Sequence, residues 1–125
     1  NIKLSEKSMV DPETPYGFSK LAGEQYSLFY ASEFKLPITV IRFFNVYGPG
    51  EYPGKYRNVI PNFVKSALCN SPLIITGTGN ETREFVYVSD TINGILKSSM
   101  VNETIGEIFH LGSGGFFLKV QANET

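Results

Sequence analysis

Apolar residues recur along this chain with two different spacings, and the change of spacing marks out its elements. Between Pro15 and about Phe34, the residues Phe18, Leu21, Ala22, Phe29 and Phe34 lie mainly three to five apart, the rhythm of a helix face. Thr14-Pro15 offers an N-cap and a proline for the first turn, and Pro37 ends the helix. Residues 1–13 are polar, carry the turn signal Asp11-Pro12 and read as a loop. Ile38 to Phe44 is β-branched and aromatic and too short for a typical helix, so it reads as a buried strand. Residues 45–57 contain Gly48, Pro49, Gly50, Pro53 and Gly54 and predict a long loop, of a length that is usually functional. From Asn58 to about Cys69, the residues Val59, Ile60, Phe63, Val64, Ala67 and Leu68 share one side and predict a second helix. Leu73-Ile74-Ile75 reads as a short strand, Gly77 to Asn80 as a turn, and Glu84 to Val88 as another strand. Ser89-Asp90 caps a third helix running to about Met100. Ile108 to Leu111 is a last strand, closed by Gly112-Ser113-Gly114-Gly115.

Helix, strand, helix, strand, strand, helix, strand is the alternation of an α/β layered fold. Only one or two of these strands belong naturally to a parallel sheet, so the sheet reads as incomplete. A length of 125 residues suffices for one ordinary domain with one core, and aromatic residues at 14% predict that core and pocket are ring-lined. Lys plus Arg number 11 against 12 Asp plus Glu. That balance gives no basic field for nucleic acid or an anionic membrane surface, so any anion site must rest on one or two placed cations. No apolar run approaches the ~18–20 residues of a membrane span, and no apolar stretch follows Asn1-Ile2-Lys3-Leu4-Ser5 as a signal peptide requires. The single cysteine, Cys69, cannot form an intramolecular disulfide and fits a reducing, cytoplasmic setting. It reads as a small buried apolar residue.

Candidate chemistry begins at Tyr16 and Lys20, four apart and hence on one helix face. A phenol is a poor base at neutral pH. A nearby ammonium favours its anion, and so does the positive end of a helix. Such a pair makes a general acid/base for a hydroxyl proton. On spacing alone a plain surface pair is the favoured reading. Arg42, inside an apolar strand, reads as a structural ion-pair former. The glycine clusters at 48–50, 77–79 and 112–114 read as turns, because none follows a strand and opens a helix in the phosphate-binding manner. His110 has no carboxylate or thiolate cluster in sequence around it and reads as structural. No metal site is suggested.

Four blocks change the weighting. Pro15-Tyr16-Gly17-Phe18-Ser19-Lys20-Leu21-Ala22-Gly23-Glu24 resembles the catalytic helix of the extended short-chain dehydrogenase/reductases, the NAD-dependent nucleotide-sugar epimerase/dehydratase family in particular. Arg42-Phe43-Phe44-Asn45-Val46-Tyr47-Gly48-Pro49-Gly50 resembles that family's next strand and substrate loop. Arg83-Glu84-Phe85-Val86-Tyr87-Val88-Ser89-Asp90 and Phe109-His110-Leu111-Gly112-Ser113-Gly114 resemble two later segments, with His110 where the family usually has Asn.

The resemblance implies the C-terminal part of a Rossmann-like fold without its glycine-rich coenzyme-binding strands. Residues 1–47 would be the end of the Rossmann-like domain, and residues 48–125 mainly a substrate-binding region. Tyr16 would be the catalytic base. Lys20 would favour its phenolate and hold the nicotinamide ribose. Phe43 and Val46 would line the pocket of NAD or NADP. Asn45 would hydrogen-bond the substrate, Asn58 and Val59 would open the helix facing its nucleotide, and Arg83 would pair with its diphosphate. The Ser/Thr partner of Tyr16 is not assignable, and the Phe116-Phe117-Leu118-Lys119 tail departs from the family's helix start. The implied reaction is epimerisation of a nucleoside-diphosphate sugar through a keto sugar. A 4,6-dehydratase or a decarboxylase of the same family are alternatives, and so is a non-catalytic module retaining a sugar-nucleotide half-site. A homodimer through the catalytic helix, near Leu28 and Phe29, is also implied.

Overall fold

The computed structural model describes residues 4–56 and 58–114, and the backbone of 117–119. The chain forms two compact units, each built from two separate stretches of sequence. One comprises Asn1–Phe43 with Ile92–Leu111, the other Phe44–Thr91 with Gly112–Thr125.

In the first unit, helix α1 runs from Pro15 to Phe34. Thr14 Oγ1 accepts from the Gly17 amide at 3.1 Å and satisfies one of the free donors of the first turn. Lys35 closes the helix in the left-handed conformation, φ 55°. Strand β1, Val40–Phe43, pairs parallel with β4, Ile108–Leu111, Val40 opposite Ile108 and Phe43 opposite Leu111. The Gly106 amide donates to Ile38 O at 2.7 Å, and Thr39 Oγ1 donates to Thr104 O at 2.9 Å, fixing the register from outside the ladder. Helix α3, Val88–Ser99, approaches β4 closely at Gly94, where a Cβ would stand 2.1 Å from Leu111 Cδ1.

In the second unit, β2, Asn45–Tyr47, pairs parallel with β3, Thr82–Tyr87. A short strand β5, Phe117–Lys119, adds antiparallel on the other side of β3. Val86, next to the last residue of β3, is 3% exposed, and Tyr47 packs edge-on against Phe85 and Tyr87. Helix α2, Val59–Leu68, holds the preceding loop through Asn62. Its Oδ1 accepts from the Gly54 amide at 2.9 Å, and its Nδ2 donates to Gly54 O at 3.1 Å.

The α/β class and the three helices follow the sequence, but several details differ. The apolar run 38–44 is two strands, broken at Phe44, because β1 ladders with β4 while β2 ladders with β3. Residues 45–47 therefore leave the expected loop. Residues 73–75 form no strand, since neither neighbour of β3 in its sheet comes from that stretch. Helix α3 starts at Val88, so Ser89 and Asp90 lie in its first turn and do not precede it. Strand β5 occupies a tail from which no strand was expected. Cys69 is exposed: it is the C-cap of α2, its amide bonded to Lys65 O, one step past the helix's apolar positions. The expected ring-lined core is thin. Among the described residues Val86 and Pro61 are buried apolar side chains, whereas Tyr26, Phe29, Phe34 and Phe43 are each more than half exposed.

Candidate active site

Tyr16 sits in the first turn of α1, one residue after Pro15, and is 72% exposed. Lys20 lies one turn on, its Nζ 5.2 Å from the centroid of the Tyr16 ring. That is within the range of cation–π attraction. The same turn is tightened by Ser19 Oγ, which donates to Tyr16 O at 2.8 Å. Behind it, a Cβ at Gly17 would meet Pro12 Cβ at 3.0 Å, so the entry loop packs closely on the helix start. The arrangement offers a phenol and an ammonium, both open to a ligand. These are groups that can hydrogen-bond a ligand hydroxyl and exchange its proton. Phe43, the last residue of β1, is 53% exposed.

The rest of α1 is anchored through Glu24. Arg42 Nε and Nη2 reach Glu24 Oε2 and Oε1 at 2.8 and 2.6 Å. Arg42 Nη1 also lies 3.3 Å from His110 Nε2, and the His110 amide donates to Glu6 Oε1 at 3.0 Å. Arg42 and His110 are thus structural groups in one polar cluster.

The second unit carries a cavity of about 300 Å³ beside β3. Val59, the first residue of α2, lines it with Phe63, Ile74, Ile75 and Phe85, and Arg83 stands on its wall. Arg83 Nη1 donates to Thr82 O at 2.9 Å. Sequence reasoning missed two charged lining residues, Lys55 and Glu81. The signal for Glu81 was present: Glu81, Arg83 and Phe85 alternate along an extended segment, and alternate residues share a face. Lys55 comes from the loop, where no periodicity could reveal it. Among the other expected substrate residues, Asn45 donates from Nδ2 to Glu84 O at 3.0 Å. Asn58 occupies the N-cap position of α2 but makes no side-chain cap, donating instead to Glu51 Oε1 at 2.9 Å. Val46 is half-buried in β2, opposite Val86. Its cleft is shared with Gly48, Pro49, Tyr52 and Val88.

With the fold and these groups in place, comparison with known proteins defines the class. The profile of the NAD dependent epimerase/dehydratase family matches residues 2–112, and the chain belongs to that family. It is 37% identical over 110 residues to an uncharacterized UDP-glucose epimerase of Bacillus subtilis, covering 88% of this chain and 34% of that one. It is 35% identical over 116 residues to a dTDP-D-glucose 4,6-dehydratase of Dictyostelium discoideum, covering 90% and 25%. It is 40% identical over 98 residues to a UDP-N-acetyl-alpha-D-glucosaminuronate decarboxylase of Bacillus cytotoxicus, covering 78% and 30%. Among solved structures, the epimerase Mth375 of Methanothermobacter thermautotrophicus superposes with a TM-score of 0.87 at 46% identity, over 92% of this chain and 34% of that one. A UDP-glucuronic acid 4-epimerase of Bacillus cereus, solved with UDP-glucuronic acid and NAD, superposes with a TM-score of 0.82 at 32% identity, over 96% and 37%. The chain thus spans about a quarter to a third of the length of the curated relatives it matches. Its α/β architecture is part of a Rossmann-like enzyme fold. No helix among the described residues is long and apolar enough to cross a membrane.

Proposed function

We propose that the full-length protein carrying this chain epimerises a nucleoside-diphosphate sugar through transient oxidation to a keto sugar, with Tyr16 as general acid/base. The observation that carries this reading is the Tyr16–Lys20 pair, an exposed phenol with an ammonium over its ring at the start of a capped helix. Bound NAD(P) would accept and return the hydride. Tyr16 Oη takes the proton of the reacting sugar hydroxyl as its carbon is oxidised, and returns that proton when the carbonyl is reduced on the opposite face. Lys20 supplies the positive charge that favours the phenolate and donates to the nicotinamide ribose. Phe43 and Val46 provide apolar wall for the coenzyme. Arg83 pairs with the substrate diphosphate, and Val59 and Asn58 open the helix beside its nucleotide. Asn45, oriented by its bond to Glu84 O, presents its amide to the sugar. A homodimer through α1 belongs to the same reading, supported by the exposure of Phe29.

A second reading, a 4,6-dehydratase or decarboxylase, draws on relatives bearing those names. A third, a sugar-nucleotide half-site without turnover, needs only the cavity. The test is product analysis by NMR after incubating the full-length protein with NAD and, in separate reactions, a UDP-hexose and a UDP-hexuronate. An epimer supports the first reading, a 4-keto-6-deoxy sugar or a shortened sugar the second, and binding without product the third. Tyr16→Phe should lower turnover by ~10²–10⁴-fold with sugar-nucleotide binding kept. Near-normal turnover in that variant removes Tyr16 from the mechanism.

A further inference from the structure

The cavity beside Arg83 has a second charged wall that the reaction above does not use. Arg83 and Phe85 line it from alternate positions of β3, and Glu81 lines it from the residue just before that strand. The Glu81 carboxylate is held in place. Its Oε1 accepts from the Thr78 amide at 2.9 Å and the Thr78 hydroxyl at 3.1 Å. A Cβ at Gly77 would lie 2.5 Å from the same oxygen, so the turn is folded tightly around it. The Thr78 amide, foremost, holds this carboxyl below the usual carboxylate range.

An ionised carboxylate accepts hydrogen bonds and donates none, and it offers about four acceptor positions. It repels phosphate, so its partner in a nucleotide must be a neutral donor. In a nucleoside diphosphate, the donors one step from the phosphates are the ribose hydroxyls. The flat base beyond them suits the apolar side of the cavity, Phe63, Ile74 and Ile75. The relatives include proteins named for UDP-sugars and others named for dTDP-sugars, so recognition at the ribose separates two kinds of substrate.

We infer that Glu81 is a specificity-determining residue: it accepts hydrogen bonds from the 2′- and 3′-hydroxyls of the substrate ribose, so that the site prefers ribonucleoside diphosphates to their 2′-deoxy counterparts. This rests on the reading that Arg83 holds the diphosphate.

Calorimetric titration of the full-length protein with UDP and with 2′-deoxyuridine diphosphate tests it. Wild type should bind UDP about tenfold more tightly, the worth of one charge-assisted hydrogen bond. Glu81→Ala should bring the two ligands within about twofold by weakening UDP alone. Thr78→Ala, which loosens the turn without removing the carboxylate, should keep the preference, and this separates a lost acceptor from a collapsed turn. Glu81→Ala with its preference intact overturns the proposal, as does a wild type that binds both ligands equally. Arg83→Ala separates the two layers. Unchanged affinity for both diphosphates in that variant sinks the diphosphate reading and the Glu81 proposal with it. Weakened binding in Arg83→Ala, beside an intact preference in Glu81→Ala, sinks the Glu81 proposal alone.

Discussion

Glu24 and Arg42 join the middle of α1 to β1 by a two-pronged carboxylate–guanidinium pair, 2.6 and 2.8 Å, with side chains only 10% and 23% exposed. Arg42 fits this place better than lysine could, because its planar fork meets both carboxylate oxygens at once. The pair fixes the helix whose first turn carries Tyr16.

Glu24→Gln should therefore destabilise the protein by about 1–3 kcal/mol at neutral pH. The hydrogen bonds from Arg42, foremost, hold the Glu24 carboxyl below its usual 4.5. A depressed carboxyl stabilises the fold above its unfolded value and loses that contribution as pH falls through the lower folded value. The gap between wild type and Glu24→Gln should thus be full above about pH 5 and should shrink below it. Urea midpoints at neutral pH and at about pH 3.5 check this; a gap independent of pH would mean that packing, and not charge, carries the pair.

Arg83→Ala should weaken sugar-nucleotide binding by roughly 10- to 150-fold, the range of a lost charge-assisted hydrogen bond. NAD affinity should stay within about threefold. A solvated turn arginine predicts no loss for either ligand, and equal losses for both would point to general unfolding. Titration with a nucleoside diphosphate and then with NAD distinguishes the three.

Gly112→Ala should break a link within the second unit. A Cβ there would stand 2.3 Å from Glu84 Oε1, the oxygen that takes the Ser113 amide at 2.6 Å. The displaced carboxylate should cost about 1–3 kcal/mol. Because Glu84→Ala removes the same link, the double variant should be much less destabilised than the sum. Additive losses, read from thermal midpoints, would show that the two residues act separately.

What the sequence disclosed was mostly local. Thr14-Pro15 and Pro37 bracket α1 because capping and proline act within a few residues. The apolar positions of α2 and the Arg83–Asp90 block likewise announce their elements. The break at Phe44 was hidden, because it depends on which distant strand each half meets, β4 for one and β3 for the other. The same holds for Glu6, which reaches the His110 amide across 104 positions. It holds for Cys69 too: its exposure is set by where α2 ends and not by the polarity of a thiol. The spacing of Tyr16 and Lys20 put both on one face of α1, and the alternation of Glu81, Arg83 and Phe85 could be read in sequence, but only the cavity shows that all three of the latter line one space.

The interleaving of the two units constrains how this protein can be divided. The chain passes from one unit to the other at 43–44, at 91–92 within α3, and at 111–112. Cleavage at 91–92, within α3, divides both units, whereas cleavage at 43–44 divides only the first and cleavage at 111–112 only the second. A fragment cut after Phe43 would keep β1 but lose β4, the strand it ladders with, and the remainder would carry β4 with its edge bare. Truncation from the N-terminus therefore cuts into the first unit alone until residue 44, and truncation from the C-terminus into the second alone until residue 111, so deletions from the two ends should report on different units.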